Sequence, residues 1–117
     1  MNNLTKQTDI FKALSDKNRL RILKMLQKKS LCVCEITEIL GLAASTVSNH
    51  LSILKEAGLI IDKKDKKWIN YKINPNPGNP EIASVLMSLH LILEDDEVIK
   101  KDRELLLVVD REVLCSK

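Results

Sequence analysis

Gly41-Leu42-Ala43 lies between two apolar-periodic runs and leaves the chain little choice of fold. On its N-terminal side, "SLCVCEITEIL" places Val33, Ile36, Ile39 and Leu40 at helical spacing. Ser30 is the plausible N-cap, and the short helix is expected to end near Gly41. On its C-terminal side, "AASTVSNHLSILKEAG" places Val47, Leu51 and Leu54 at i, i+4 and i+7, and Gly58 stops the run. Two short helices joined by a three-residue turn containing glycine predict a helix-turn-helix. "LIIDKK" and "WINYKI" then read as a β-hairpin, a wing, in which Ile69, Tyr71 and Ile73 alternate as one buried face. Upstream, Leu4, Ile10, Phe11 and Leu14 predict one helix and Leu20, Ile22, Leu23 and Leu26 a second, with Asp16 as the N-cap of the second. The fold class expected is mainly α with a small β-hairpin, a winged helix-turn-helix.

"NPNPGNP", Asn74 to Pro80, can neither extend a strand nor hold a helix, so it is read as a linker. Beyond it, Ile82, Val85, Leu86, Leu89 and Leu93 form an amphipathic stripe, followed by apolar residues from Val98 to Leu114. With the helix-turn-helix and wing already complete, that stripe is expected to pack against a second copy of the chain. The predicted layout is a single domain over 1–117, with a DNA-binding core at 10–74 and a dimerisation helix and tail at 80–117. Dimerisation is expected through the C-terminal helix and the N-terminal one.

A chain of 117 residues suits one compact core. "LMSLHLIL" is stopped by "EDDE" well short of the roughly 18 residues that cross a bilayer, so no membrane span is expected. The polar start "MNNLTKQTD" lacks a secretory apolar run, and three cysteines do not make a disulfide framework. A cytoplasmic protein with reduced thiols is the expectation. The net charge of +3 matters less than its distribution, because "KKDKK" concentrates positive charge in the wing. Phe11, Trp68 and Tyr71 are the only aromatics, too few for the stacking platforms of single-stranded or RNA recognition. No Ser-His-acid arrangement, phosphate loop or carboxylate pair suggests an enzyme.

With Val47, Leu51 and Leu54 facing the core, the 100° helical step puts Ser45, Asn49, Ser52 and Glu56 on the opposite side, with Ser48 on a flank and Thr46 beside Ser45. Short polar side chains suit close approach to a major groove; Asn49 can pair with adenine, and the hydroxyls reach bases or phosphates. Lys63, Lys64, Lys66 and Lys67 would meet phosphates, adding affinity without sequence choice. His50 points to the edge of the core face and is read as packed and hydrogen-bonded.

Cys32 and Cys34 can be small core residues, a redox pair or ligands of a soft ion. In a regular helix, residues two apart point about 200° from each other, so joint ligation needs an irregular or unwinding helix start. Nearness to a helix N-terminus would favour the thiolate.

"LSDKNRLRIL", "LCVCEI", "STVSNHLSILKEAGLI" and "WINYKIN", in this order and spacing, resemble the ArsR/SmtB family of metal- and metalloid-responsive repressors. The resemblance implies a homodimeric winged helix-turn-helix repressor that leaves double-stranded operator DNA when its inducer binds. "LCVC" looks like the arsenic-repressor motif, which implies Cys32 and Cys34 as ligands of As(III) or Sb(III). Thr37 stands where that motif usually carries a third cysteine, leaving Cys115 as the candidate third sulfur. Lys17 and Ala43 replace a proline and a capping serine common in the family. The family's interhelical zinc site aligns with Ser88, His90, Lys101 and Glu104, two of which are not ligands, so that site is expected to be absent. A redox or reactive-sulfur switch, a sensor of Cd(II), and a winged helix that binds protein are the competing readings.

Overall fold

The structure, a computed structural model, describes residues 2–109. Helix α1 spans Asn3–Leu14, α2 Lys17–Leu26, α3 Val33–Leu40 and α4 Ala44–Glu56; strands β1, Ile60–Asp65, and β2, Trp68–Ile73, follow; α5, Pro80–Ser88, and α6, Glu97–Leu105, complete the chain. Each helix start has a local cause. Asn2 accepts from the Thr5 N–H at 2.8 Å, and Asp16 accepts from Asn18 and Arg19 at 2.8 and 3.0 Å, so α2 is capped although Lys17 replaces a proline. Asn79 caps α5, whose first residue is Pro80, where a missing N–H costs nothing.

One apolar core joins the helices and the hairpin: Ile10, Ile22, Leu23, Ile36, Leu51 and Leu54 are all at most 1% exposed. Each such burial stabilises by about 2 kcal/mol. Gly41 lies at φ 70° with nothing within 4 Å of where a Cβ would sit, so its conformation, not crowding, calls for glycine. Gly58 lies at φ 83° and its missing Cβ would come 2.5 Å from Cδ1 of Ile82, so α5 rests directly on the end of α4.

β1 and β2 pair antiparallel from Ile60↔Ile73 to Asp65↔Trp68, leaving Lys66 and Lys67 as the turn. Lys66 takes φ 59°, a left-handed conformation. Ile60, Tyr71 and Ile73 pack on the core, but Ile69 is 48% exposed, because the hairpin extends past the helices that would cover it. Leu4 and Phe11 are likewise exposed on α1, where Ile10 and Ala13 make the core contact.

Three other expectations are corrected. Ser30 does not cap α3. Leu31 forms an antiparallel bridge with Tyr71, and Cys32 is the N-cap, in an extended conformation at φ −94° and ψ 169°. The stripe of α5 is covered within its own chain: Ile82, Val85, Leu86 and Leu89 join the core, with α1 and α5 in contact. The segment after the linker is two helices, not one, broken between Leu89 and Asp96, where Leu93 takes φ 63° and Asp96 starts α6 by accepting from Val98 and Ile99.

That break is held by charge. Lys24, fully buried, donates to the Leu89 and Ile92 carbonyls at 2.6 and 2.8 Å and pairs with Glu94 at 2.7 Å. Arg21 grips both oxygens of Asp102 at 2.9 Å, and Arg103 reaches Glu94 and Gln27 at 3.0 Å. A buried ammonium survives only when paired in this way.

Candidate nucleic-acid interface and the adjoining cysteines

α3, the Gly41-Leu42-Ala43 turn and α4 form the helix-turn-helix. Val47, Leu51 and Leu54 are 0% exposed, while Ser45, Thr46, Ser48, Asn49 and Ser52 all face solvent. Ala43 offers no side-chain cap, so the first N–H groups of α4 lack the partner a serine would give. His50 is buried, with Nδ1 3.2 Å from Nη1 of Arg19; the guanidinium donates, so the ring nitrogen accepts. Arg19 also donates to the Ala13 carbonyl at 2.7 Å, which ties the end of α1 to the middle of α4.

The wing supplies a basic surface beside this face. Lys63, Lys64, Lys66 and Lys67 are all exposed, with Lys67 Nζ 4.9 Å from the Trp68 ring centroid. Lys55 of α4 pairs with Asp62 of β1 at 3.0 Å, fixing the wing against the helix. A recess of about 260 Å³ opens between Ser30, Lys63, Lys64, Asp65, Asn70 and Lys72. Lys72 was missed by a reading centred on the turn. The register pairs Lys63 with Asn70, two residues before Lys72, so β-alternation alone places Lys72 on the face of Lys63.

The cysteines straddle the start of α3. Cys32 is 2% exposed, and its backbone N–H donates to Glu35 Oε1 at 3.0 Å while its sulfur accepts from the Glu35 N–H, a capping box. Burial pushes the Cys32 thiol above its ordinary pKa, and the neighbouring amides of Glu35 and Cys34 offset this only in part. The expected preference for thiolate is therefore reversed, because desolvation outweighs the helix start. Cys34, half-buried in the first turn of α3, is disulfide-bonded. Thr37 donates from Oγ1 to the Cys34 carbonyl at 2.8 Å. Cys115 lies outside the described residues.

Because Cys32 precedes the helix, the 200° rule for two helical residues does not govern this pair. Ser88 ends α5, His90 follows it, and Lys101 and Glu104 lie on α6; all four are exposed. Among the described residues, no group of three or more His, Cys, Asp or Glu side chains converges as metal ligands. Among them, too, no helix is long and apolar enough to cross a membrane.

A helix-turn-helix followed by a two-stranded wing on one core defines a winged helix-turn-helix protein. The family described as "Bacterial regulatory protein, arsR family" matches residues 16–62. The arsenical resistance operon repressor of Bacillus subtilis is 39% identical over 84 residues, 71% of this chain and 80% of that protein. The repressor of the same description from Escherichia coli is 38% identical over 68 residues, 57% of this chain, and the match spans only 58% of its own length. The solved structure of reduced HlyU from Vibrio cholerae superimposes with TM-score 0.64 at 30% identity, covering 78% of this chain and 92% of that one. The chain belongs to the arsR family of bacterial regulatory proteins.

Proposed function

We propose that the chain is a transcriptional repressor that binds duplex operator DNA as a homodimer and is released by As(III) or Sb(III) at Cys32 and Cys34. The observation that carries the DNA reading is the division of α4 into a fully buried apolar face and an exposed face of Ser45, Thr46, Ser48, Asn49 and Ser52. Short donors and acceptors on a rigid helix suit base edges, and Lys63, Lys64, Lys66 and Lys67 suit phosphates. The repressor relatives from B. subtilis and E. coli are both described as arsenical resistance regulators. A second copy would cover apolar side chains left exposed on adjacent helices, Leu4 and Phe11 on α1 and Met87 on α5. A two-fold dimer then reads half-sites about 34 Å apart.

The thiol chemistry favours a neutral metalloid hydroxide. Each thiol that displaces a hydroxyl of arsenous acid passes its proton to it; one S–As bond forms, one water leaves, and no oxidation state changes. A protonated Cys32 therefore suits this ligand, whereas a bare dication must expel the protons. Cys34 serves only in its reduced form, and Cys115 is the proposed third sulfur. The disulfide at Cys34 favours a second reading, a redox switch on the same DNA-binding frame.

The test is operator release from wild type, Cys32→Ser and Cys34→Ser by arsenite, Cd(II) and Zn(II). Arsenite releases wild type alone, with an affinity flat between pH 6 and 8, while any Cd(II) binding steepens with pH by up to ~2 log units per unit as two protons leave. Release of the serine variants by arsenite at wild-type concentrations would refute the ligand assignment. Release by mild oxidation, with arsenite inert, would favour the redox reading.

A further inference from the structure

The residue just before Cys32 is bridged to the wing. Leu31 donates its N–H to the Tyr71 carbonyl at 3.1 Å and accepts the Tyr71 N–H on its own carbonyl at 2.8 Å. Both are backbone bonds, and Leu31 is fully buried. β2 is thus hydrogen-bonded on one edge to β1 and on the other to the residue just before Cys32.

The Leu31 carbonyl and the Cys32 N–H belong to one planar peptide group. The carbonyl end accepts from Tyr71 of the wing, and the N–H end donates to Glu35 of α3. A peptide plane turns as a unit, so a backbone rotation at Cys32 that accompanies release of its sulfur from the capping position disturbs both bonds at once. Cys32 is 2% exposed, so a ligand on its sulfur must displace what covers it, and the capping box ties that sulfur to the same turn as the peptide. Across the hairpin from Tyr71 stands Asp62, held by Lys55 of α4.

We infer that ligation of Cys32 acts on the wing directly, through the Leu31–Cys32 peptide and Tyr71, and not only on the recognition helix through α3. The inference rests on the reading of Cys32 as a ligand-binding thiol. Leu31 and Tyr71 are positioning residues: they hold the wing, and with it the exposed lysines of the hairpin, in register with α4. The wing carries its own reporter, since Trp68, three residues before Tyr71 on β2, is the chain's one tryptophan.

The experiment uses a Cys34→Ser/Cys115→Ser chain, in which Cys32 is the remaining cysteine, and methylmercury chloride, which needs one sulfur. The thiol gives up its proton, a sulfur–mercury bond forms and chloride leaves; mass spectrometry confirms one adduct. Without DNA, the Tyr71 amide is expected to exchange with solvent at least tenfold faster and Trp68 emission to shift, while the Leu23 and Leu54 amides stay protected. A mercurated chain with Tyr71 exchange within twofold of the starting value and unchanged Trp68 emission would overturn the inference. So would a loss of protection that spreads equally to Leu23 and Leu54, since that is unfolding. A parallel Cys-free chain carrying Ser48→Cys, an exposed thiol on α4, should show no Tyr71 response. Arsenite is run on wild type alongside. If arsenite leaves the operator complex intact while mercuration moves the wing, the inducer assignment fails and the coupling stands.

Discussion

The helix-turn-helix and the C-terminal pair of helices are attached to the same core by different means. α3 and α4 are held by apolar side chains buried to the limit, Ile36, Val47, Leu51 and Leu54, with Glu35 and His50 as their buried polar residues. The segment from Leu89 through α6 buries Leu89, Ile99 and Leu106 and adds charged ties, the buried Lys24, the Arg21–Asp102 pair and the more exposed Glu94–Arg103 contact. Apolar packing has no charge to titrate and tolerates no loss of volume. The charged attachment depends on every partner being present, and on the ionisation of Glu94.

The largest effect expected is on the first region. Leu51→Ala, by opening a cavity, should cost about 3 kcal/mol in urea unfolding and take operator binding with it. Lys24→Met keeps the volume and removes the ammonium, leaving the Leu89 and Ile92 carbonyls unpaired, at about 2 kcal/mol. Hydrogen exchange sharpens the contrast: Lys24→Met should open α6 amides well before those of α4, and equal loss in both would show one cooperative unit. Asn49→Ala should weaken operator binding by about 2 kcal/mol and relax base preference at one position, without altering unfolding. Lys63→Ala or Lys72→Ala should lower the slope of log affinity against log salt by about 1 with base preference intact. The contrast in pH is the mildest. The Lys24 hydrogen bond holds the Glu94 carboxyl below its ordinary value of 4.5, with Arg103 adding to it. The stabilisation from Glu94 is therefore present above that value and is lost as pH falls through the lower folded one. Acid titration followed by NMR should detach the Leu89–Asp96 segment before it disturbs α4.

The helix-turn-helix was legible because its information is local: apolar residues at helical period, and a glycine after each helix. The misread features depend on distant partners. Ser30 looks like a cap until Leu31 pairs with Tyr71, forty residues on in the chain. The α5 stripe looks unpartnered until α1 and the bare backbone of Gly58 are brought beneath it. Ile69 fits the strand alternation but lies beyond the core's reach, and Lys24 resembles any surface lysine until three acceptors surround it. At the cysteine site, the residue types and spacing were readable. The position of Cys32 outside the helix was not, since it follows from the same long-range bridge.

Lys66, at φ 59° in the turn of the wing, sets backbone strain against the proposed phosphate contact at one residue. A side chain in that conformation costs about 1 kcal/mol that glycine would not. Lys66→Gly should therefore raise the unfolding midpoint slightly while removing one cation from the proposed phosphate-facing edge. The tip of the wing is a place where the chain is less stable than its backbone would allow, and where the more stable protein should be the weaker binder.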